Sequence, residues 1–214
     1  MIQIMKNIFK GILCIAVLFV SSCDKETTGD VNGITNFAVL EVIGEPLIVL
    51  TQGDTYTDAG AEVTLAGEPF PYTTQGTANT NVPGVYKIVY LATNDLGYSA
   101  SATRTVVVLS SAPSIYNLEG SWARNNGSPA EVVRISDREY THNNAGGVVG
   151  DNALMVTFYN VDDDLLYIPR QENASISGIT VESADGYIID NDHFNWVLNA
   201  SGFYGSLLRV FSRV

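Results

Sequence analysis

Pro83-Gly84-Val85-Tyr86-Lys87-Ile88-Val89-Tyr90-Leu91-Ala92 is written as a strand. Tyr86, Ile88, Tyr90 and Ala92 recur at every second position, so in an extended chain they share one face, and Pro-Gly punctuates the entry. The same period of two returns outward in both directions, in Phe37 to Ile43, Leu47 to Leu50 and Arg104 to Leu109. Turn signals such as Asn94-Asp95-Leu96-Gly97 separate these runs, and no window of ten or more residues presents a helical face. Short strands at about ten-residue spacing predict an all-β sandwich of immunoglobulin type. Tyr86, just past the Pro-Gly step, stands where such sandwiches place the tyrosine whose hydroxyl returns to the backbone upstream.

Around this frame several short motifs follow in order: Gly53-Asp54-Thr55-Tyr56-Thr57-Asp58-Ala59-Gly60-Ala61, Gly76, Asn79-Thr80, Pro83-Gly84-Val85-Tyr86, Val89-Tyr90, Asp95-x-Gly97 and Arg104-Thr105-Val106. Together they resemble the bacterial surface Ig-like domains found as modules in secreted and cell-surface proteins. The resemblance covers about residues 34 to 110 and implies a spacer or presentation module, usually without catalysis. Asp58-Ala59-Gly60 is then a strand-entry turn, with Gly60 relieving backbone strain.

Ser110-Ser111-Ala112-Pro113-Ser114 is a small, polar, Pro-containing break, placing one domain at 34–111 and a second at 112–214. The second carries strand patterns at Glu131 to Ile135, Leu154 to Tyr159, Leu165 to Pro169, Ile176 to Glu182, Phe194 to Ala200 and Gly205 to Phe211. Ser201-Gly202 favours a closing hairpin between the last two. The expectation is a second antiparallel β domain, either a small barrel or another sandwich. Gly120-Ser121-Trp122 near its start and an Arg on the last strand resemble the closure of lipocalin-like barrels, although about 100 residues is short for eight strands.

The N-terminus is a different kind of sequence. Lys6 and Lys10 precede an apolar run from Ile12 to Val20, which is too short for a spanning helix and reads as a secretory signal peptide over residues 1–22. Val20-Ser21-Ser22-Cys23 resembles the lipobox of bacterial lipoproteins, which implies that Cys23 is lipidated as the new N-terminus. The polar segment 23–33 is the tether. Asp24-Lys25-Glu26 resembles the export signals of outer-membrane lipoproteins in Gram-negative gut anaerobes, implying a surface-exposed outer-membrane location. With Cys14 removed and Cys23 acylated, no disulfide is expected in the folded part, and packing alone must stabilise it. The whole arrangement resembles small lipoproteins of polysaccharide-utilisation systems.

Charge and chemistry narrow the function. The 214 residues hold 23 acidic against 11 basic side chains, a net charge of −12, so nucleic acid is not an expected partner. The expected partners are the membrane, through the lipid anchor, and a polysaccharide or an outer-membrane protein complex. His142 and His193 are the only histidines, no Gly-x-Ser-x-Gly elbow occurs, and no catalytic residue, metal or cofactor is expected. Asp190-Asn191-Asp192-His193 offers oxygen ligands for Ca²⁺ but lacks the EF-hand glycine and distal Glu, so an Asx turn is the favoured reading. Asp162-Asp163-Asp164 is read as a hairpin tip.

The second domain is dense in aromatics. Phe194, Trp196 and Leu198 share one strand face and are expected in a core. Tyr140 beside His142, Tyr187 near Asp190 and Asp192, and Tyr204 in a Gly-flanked hairpin are the expected exposed rings. Exposed rings stack on the apolar faces of sugars while Asn, Asp and Arg take the hydroxyls. Tyr140, His142, Tyr187, Asp190, Asp192 and Tyr204 are therefore the candidate ligand-binding residues of a non-catalytic surface protein. A structural or protein-interaction subunit is the alternative, and a glycan hydrolase the remote one.

Overall fold

A computed structural model describes residues 35–200 and 204–214; the leader, Cys23, the tether and the Ser201-Gly202 hairpin lie outside them. The chain is all-β. β1 (Ala38–Val42) pairs antiparallel with β3 (Ala61–Leu65), which pairs with the short β4 (Glu68–Pro69). Facing them is a second sheet of β2 (Leu47–Thr51), β7 (Ser99–Leu109), β6 (Gly84–Thr93) and β5 (Thr73–Gln75), in that spatial order. β2 joins β7 in parallel; the other pairs are antiparallel. Ala38, Val63, Ile88, Tyr90, Ala92, Val106 and Val108 fill the space between the two sheets.

The period of two in Tyr86–Ala92 therefore does what the sequence requires, with Ile88, Tyr90 and Ala92 buried at 3%, 0% and 1% exposure. Tyr86 donates its hydroxyl to the Val82 carbonyl at 2.8 Å, which ties the strand entry to the loop before it in the manner of a tyrosine corner. Gly60 has φ +78°, a conformation that favours glycine, and a Cβ there would lie 2.8 Å from the Tyr72 hydroxyl and displace it.

A buried polar clasp locks the two sheets. Arg104, 2% exposed, pairs with Asp58, and its remaining donors reach the carbonyls of Ile43 and Glu45. Tyr90 and Tyr56 donate to the same carboxylate, at 2.7 and 2.9 Å. Burial opposes ionisation of Asp58, but hydrogen bonds from Tyr90, Tyr56 and Arg104 outweigh it and hold the carboxyl below its usual range.

The remaining strands form one eight-stranded antiparallel sheet. They are β8 (Gly120–Arg124), β9 (Pro129–Arg134), β10 (Glu139–His142), β11 (Val156–Asn160), β12 (Leu166–Tyr167), β13 (Val181–Asp190), β14 (His193–Ala200) and β15 (Leu208–Arg213). Their order, β12-β11-β10-β9-β8-β15-β14-β13, brings the two ends of the sheet back together. Leu165 bridges Tyr187, Gln171 bridges Val181, and Ile188 N–H donates to Asp164 at 2.7 Å, so the sheet curls into a nearly closed barrel. Of the two architectures open from sequence, the barrel is the one adopted. Roughly 100 residues suffice because β12 has two residues and β10 four.

Trp122 and Arg213 face each other as predicted. They are cross-strand partners on β8 and β15, with the guanidinium 4.4 Å from the indole centroid. Arg213 also donates to the carbonyls of Asn117 and Glu119, holding the first strand's entry against the last strand.

One expected strand is misplaced. Ile176–Glu182 is mostly irregular, with Ile176 85% exposed, and the strand runs over Val181–Asp190 instead. Ser183-Ala184-Asp185-Gly186 is part of that strand, with a bulge between Ser183 and Asp185. Gly186 serves close approach: a Cβ would sit 2.9 Å from the Leu166 carbonyl oxygen and 3.2 Å from Leu166 Cβ, where β12 meets β13. Gly186→Ala should thus cost about 1–3 kcal/mol, seen as a lower urea midpoint with an unchanged m-value; an unshifted midpoint would mean that the seam tolerates the methyl.

Candidate functional site

The barrel interior is filled. Trp122, Phe158, Phe194, Trp196 and Phe211 are fully buried and pack edge-on or stacked, with centroids 4.6–6.4 Å apart. This corrects the placement of two expected site residues. Tyr140 and His142, 0% and 1% exposed, point into this core from β10, with Tyr140 stacked on Phe158. They alternate with Thr141 on a four-residue strand, too short to announce itself by periodicity, yet the period of two puts both on the inner face. The His142 ring lies 4.8 Å from Phe211 and 5.1 Å from Trp196, and Asn144 N–H donates to its Nδ1 at 3.0 Å. The ring is therefore neutral with the proton on Nε2, and burial pushes its pKa down to about 3.

Tyr204 is likewise corrected. It is 8% exposed, donates to the Asn152 carbonyl and packs on the Arg209 guanidinium 5.5 Å away. Arg209, 2% exposed, donates to the carbonyls of Gly146, Tyr204 and Leu207, so ring and guanidinium together close one part of the barrel wall. No periodicity marks such a loop residue; only the fold brings residues 146, 152 and 204 together.

Tyr187 is the expected ring that the structure leaves open, at 44% exposure. It lies on the outer face of the β13–β14 ribbon directly opposite Asn195, with Asp185 opposite Val197 and Glu182 opposite Asn199 along the same face. Asp190 and Asp192 stand at the turn end of this ribbon. Asp190 accepts from Asp192 N–H at 2.8 Å and contacts His193 Nδ1 at 2.8 Å, which is an Asx turn. The Asp192 N–H and then His193 hold the Asp190 carboxyl below its usual range. Among the described residues no group of three or more His, Cys, Asp or Glu converges as a metal site.

At its other end the ribbon runs into the joint between sandwich and barrel. Lys87 of β6 pairs with Glu182 of β13 at 2.5 Å, and Tyr167 donates to the same carboxylate at 2.6 Å. Beneath them Val107, Tyr159, Val161 and Tyr167 form an apolar cluster with Leu47, Val85, Leu109 and Leu165. The segment read as a break is pinned rather than loose. Ser110 N–H donates to Val161, and the buried Arg138 donates to the Ala112 carbonyl at 2.9 Å and to the Asn160 side chain at 2.8 Å. A cleft of about 730 Å³ opens beside this joint, with Glu41, Lys87, Thr103, Arg170, Glu172 and Glu182 on its walls. A smaller hollow along Lys87, Glu182, Asp185 and Asn199 continues it onto the ribbon. Arg170, Lys87, Asn195 and Asn199 are polar contributors that sequence did not single out, since none lies in a motif.

Residues 40–108 match the family model described as bacterial surface protein, Ig-like domain. The chain is also similar to the crystal structure of a lipoprotein from Bacteroides thetaiotaomicron, at 20% identity over 83% of this chain and 100% of that chain, with a TM-score of 0.37. No curated protein matches.

Proposed function

We propose, from the premise that residues 40–108 are a bacterial surface Ig-like domain, that this is a non-catalytic cell-envelope lipoprotein. Acylation at Cys23 holds it on the outer face of the outer membrane, and its barrel presents a polysaccharide-binding surface. The supporting observation is the outer face of the β13–β14 ribbon, where an open Tyr187 ring faces Asn195 and leads past Asp185 and Asn199 to Lys87. A flat ring offers the apolar face of a sugar a stacking partner, and the flanking amide, carboxylate and ammonium groups suit its hydroxyls. Among the described residues the barrel interior is packed with aromatic and aliphatic side chains, and this reading therefore takes the outer face as the recognition surface.

Affinity electrophoresis of the full chain through gels containing individual plant and mucosal polysaccharides tests this. One or more should retard it, and Tyr187→Ala should weaken that binding about tenfold, the effect of losing roughly 1.4 kcal/mol of ring contact. The bound polysaccharide should gain no reducing ends. Free migration in every gel would remove the reading.

A second reading, docking on an outer-membrane protein complex, is favoured by a different face. Val133 and Met155, 47% and 67% exposed, line one shallow groove outside β9–β11, and Ile135 lies just beyond β9 at 57%. Loss of co-purification from native membranes on Val133→Ser would support it.

A further inference from the structure

The sandwich ends, away from the barrel, in an apolar tip. Leu96 and Tyr98 in the turn between β6 and β7 are 67% and 52% exposed, and Phe37, at the entry to β1, is 60% exposed. Phe37 and Tyr98 are in edge-to-face contact, with centroids 5.3 Å apart, and Leu96 lies in the same turn as Tyr98, two residues before it. β7 starts at this turn and ends at the joint with the barrel. Its 11 residues separate the two by about 34 Å.

Chain connectivity says what this tip faces. Phe37 begins the compact unit that runs to Val214, and thirteen residues separate it from Cys23. Covalent geometry limits the reach of thirteen residues to about 45 Å. A lipid on Cys23 would therefore keep Phe37, and the turn it touches, within tether reach of the bilayer surface. Two rings and a leucine, one ring carrying a hydroxyl, are the side chains that settle at the lipid–water boundary. Asp95 in the same turn is acidic, and no Lys or Arg lies in the Asn94–Tyr98 turn or in β1, which suits zwitterionic rather than anionic headgroups.

We propose that Phe37, Leu96 and Tyr98 form a membrane-resting tip that seats in the interfacial layer of a zwitterionic phospholipid bilayer and fixes the orientation of the barrel. The proposal rests on the Cys23 anchor reading. Its test keeps the two apart. The full chain, expressed with lipidation and carrying Tyr98→Trp, is reconstituted in phosphatidylcholine vesicles. Flotation reports the anchor, and quenching of the introduced indole by lipids brominated near the headgroup reports the tip. Trp122 and Trp196 are fully buried and so are insensitive to such lipids.

Floated vesicles should show the introduced indole quenched at least about twofold, and adding Phe37→Ser and Leu96→Ser should abolish the quenching while leaving flotation unchanged. Flotation with an unquenched indole overturns the tip and leaves the anchor standing. Failure to float overturns the anchor, and the tip with it. A blue shift that grows with protein concentration in the absence of lipid would assign the cluster to a second copy of the chain and overturn the membrane proposal.

Discussion

Asp58→Asn should destabilise the sandwich by about 3–5 kcal/mol, the range for removing one partner of a buried ion pair. Arg104 is 2% exposed, and Asp58 is the anionic partner with which it forms a salt bridge; the carbonyls of Ile43 and Glu45 take its other donors but cannot neutralise it. The isosteric amide keeps the shape, so the loss reports the missing charge rather than a cavity. The same change leaves only Oδ1 to accept from Tyr56 and Tyr90, and sets an NH2 donor where Oδ2 also accepted from Tyr90. Urea unfolding followed by circular dichroism should show the midpoint falling by roughly 1–3 M. Replacing both partners, Asp58→Leu with Arg104→Met, should recover much of that loss, because neither residue then leaves a buried charge unpaired. A shift below about 0.5 kcal/mol in Asp58→Asn would show that the clasp is not what joins the two sheets.

His142 should make the protein acid-sensitive well above the range where carboxylates titrate. The unfolded chain takes up the imidazole proton at about 6.5, whereas the folded chain resists it down to about 3. The unfolded state binds more protons throughout that window, so the contribution is fully present above pH 6.5 and is lost as pH falls towards 3. The loss amounts to about 2 kcal/mol by pH 5, and about 4 kcal/mol by pH 3. Phe158, Phe194, Trp196 and Phe211 surround the ring, and none can stabilise imidazolium through a carboxylate. His142→Leu is less stable than the parent at pH 7, because Asn144 N–H loses its acceptor, but its stability should change little between pH 6.5 and 5. Unfolding free energies of parent and variant from urea titrations at pH 7, 6 and 5 should converge by about 2 kcal/mol; parallel pH profiles for parent and variant would exclude His142 as the titrating group.

These two residues also mark how much the sequence could tell. Asp58 and Arg104 were legible as members of recurring motifs around a strand-entry turn and a long strand, although no motif says that one side chain reaches the other across 46 positions. His142 was legible only as an isolated histidine near a tyrosine. Its true environment depends on β10, whose four residues carry too little pattern to be seen before β9 and β11 flank it. The candidate surface divides the same way. Tyr187 was singled out because Asp190 stands near it, yet its partner Asn195 is set by a bulge between Ser183 and Asp185 that no local pattern marks.

From the sequence alone came the all-β class, the Ig-like frame between residues 34 and 110, the pairing of Trp122 with a terminal arginine and the core stripe Phe194-Trp196-Leu198. All of these rest on local period, turn chemistry or a recurring motif, which a single strand already contains. Only the tertiary structure settled barrel against sandwich, inside against outside for Tyr140, His142 and Tyr204, and the pinned joint at residues 110–114. Each depends on where distant strands meet: closure requires β12 to find β13, and a ring is buried only when the opposite wall of the barrel arrives. Such contacts carry no period along the chain, so they become visible only once the sheet has curled.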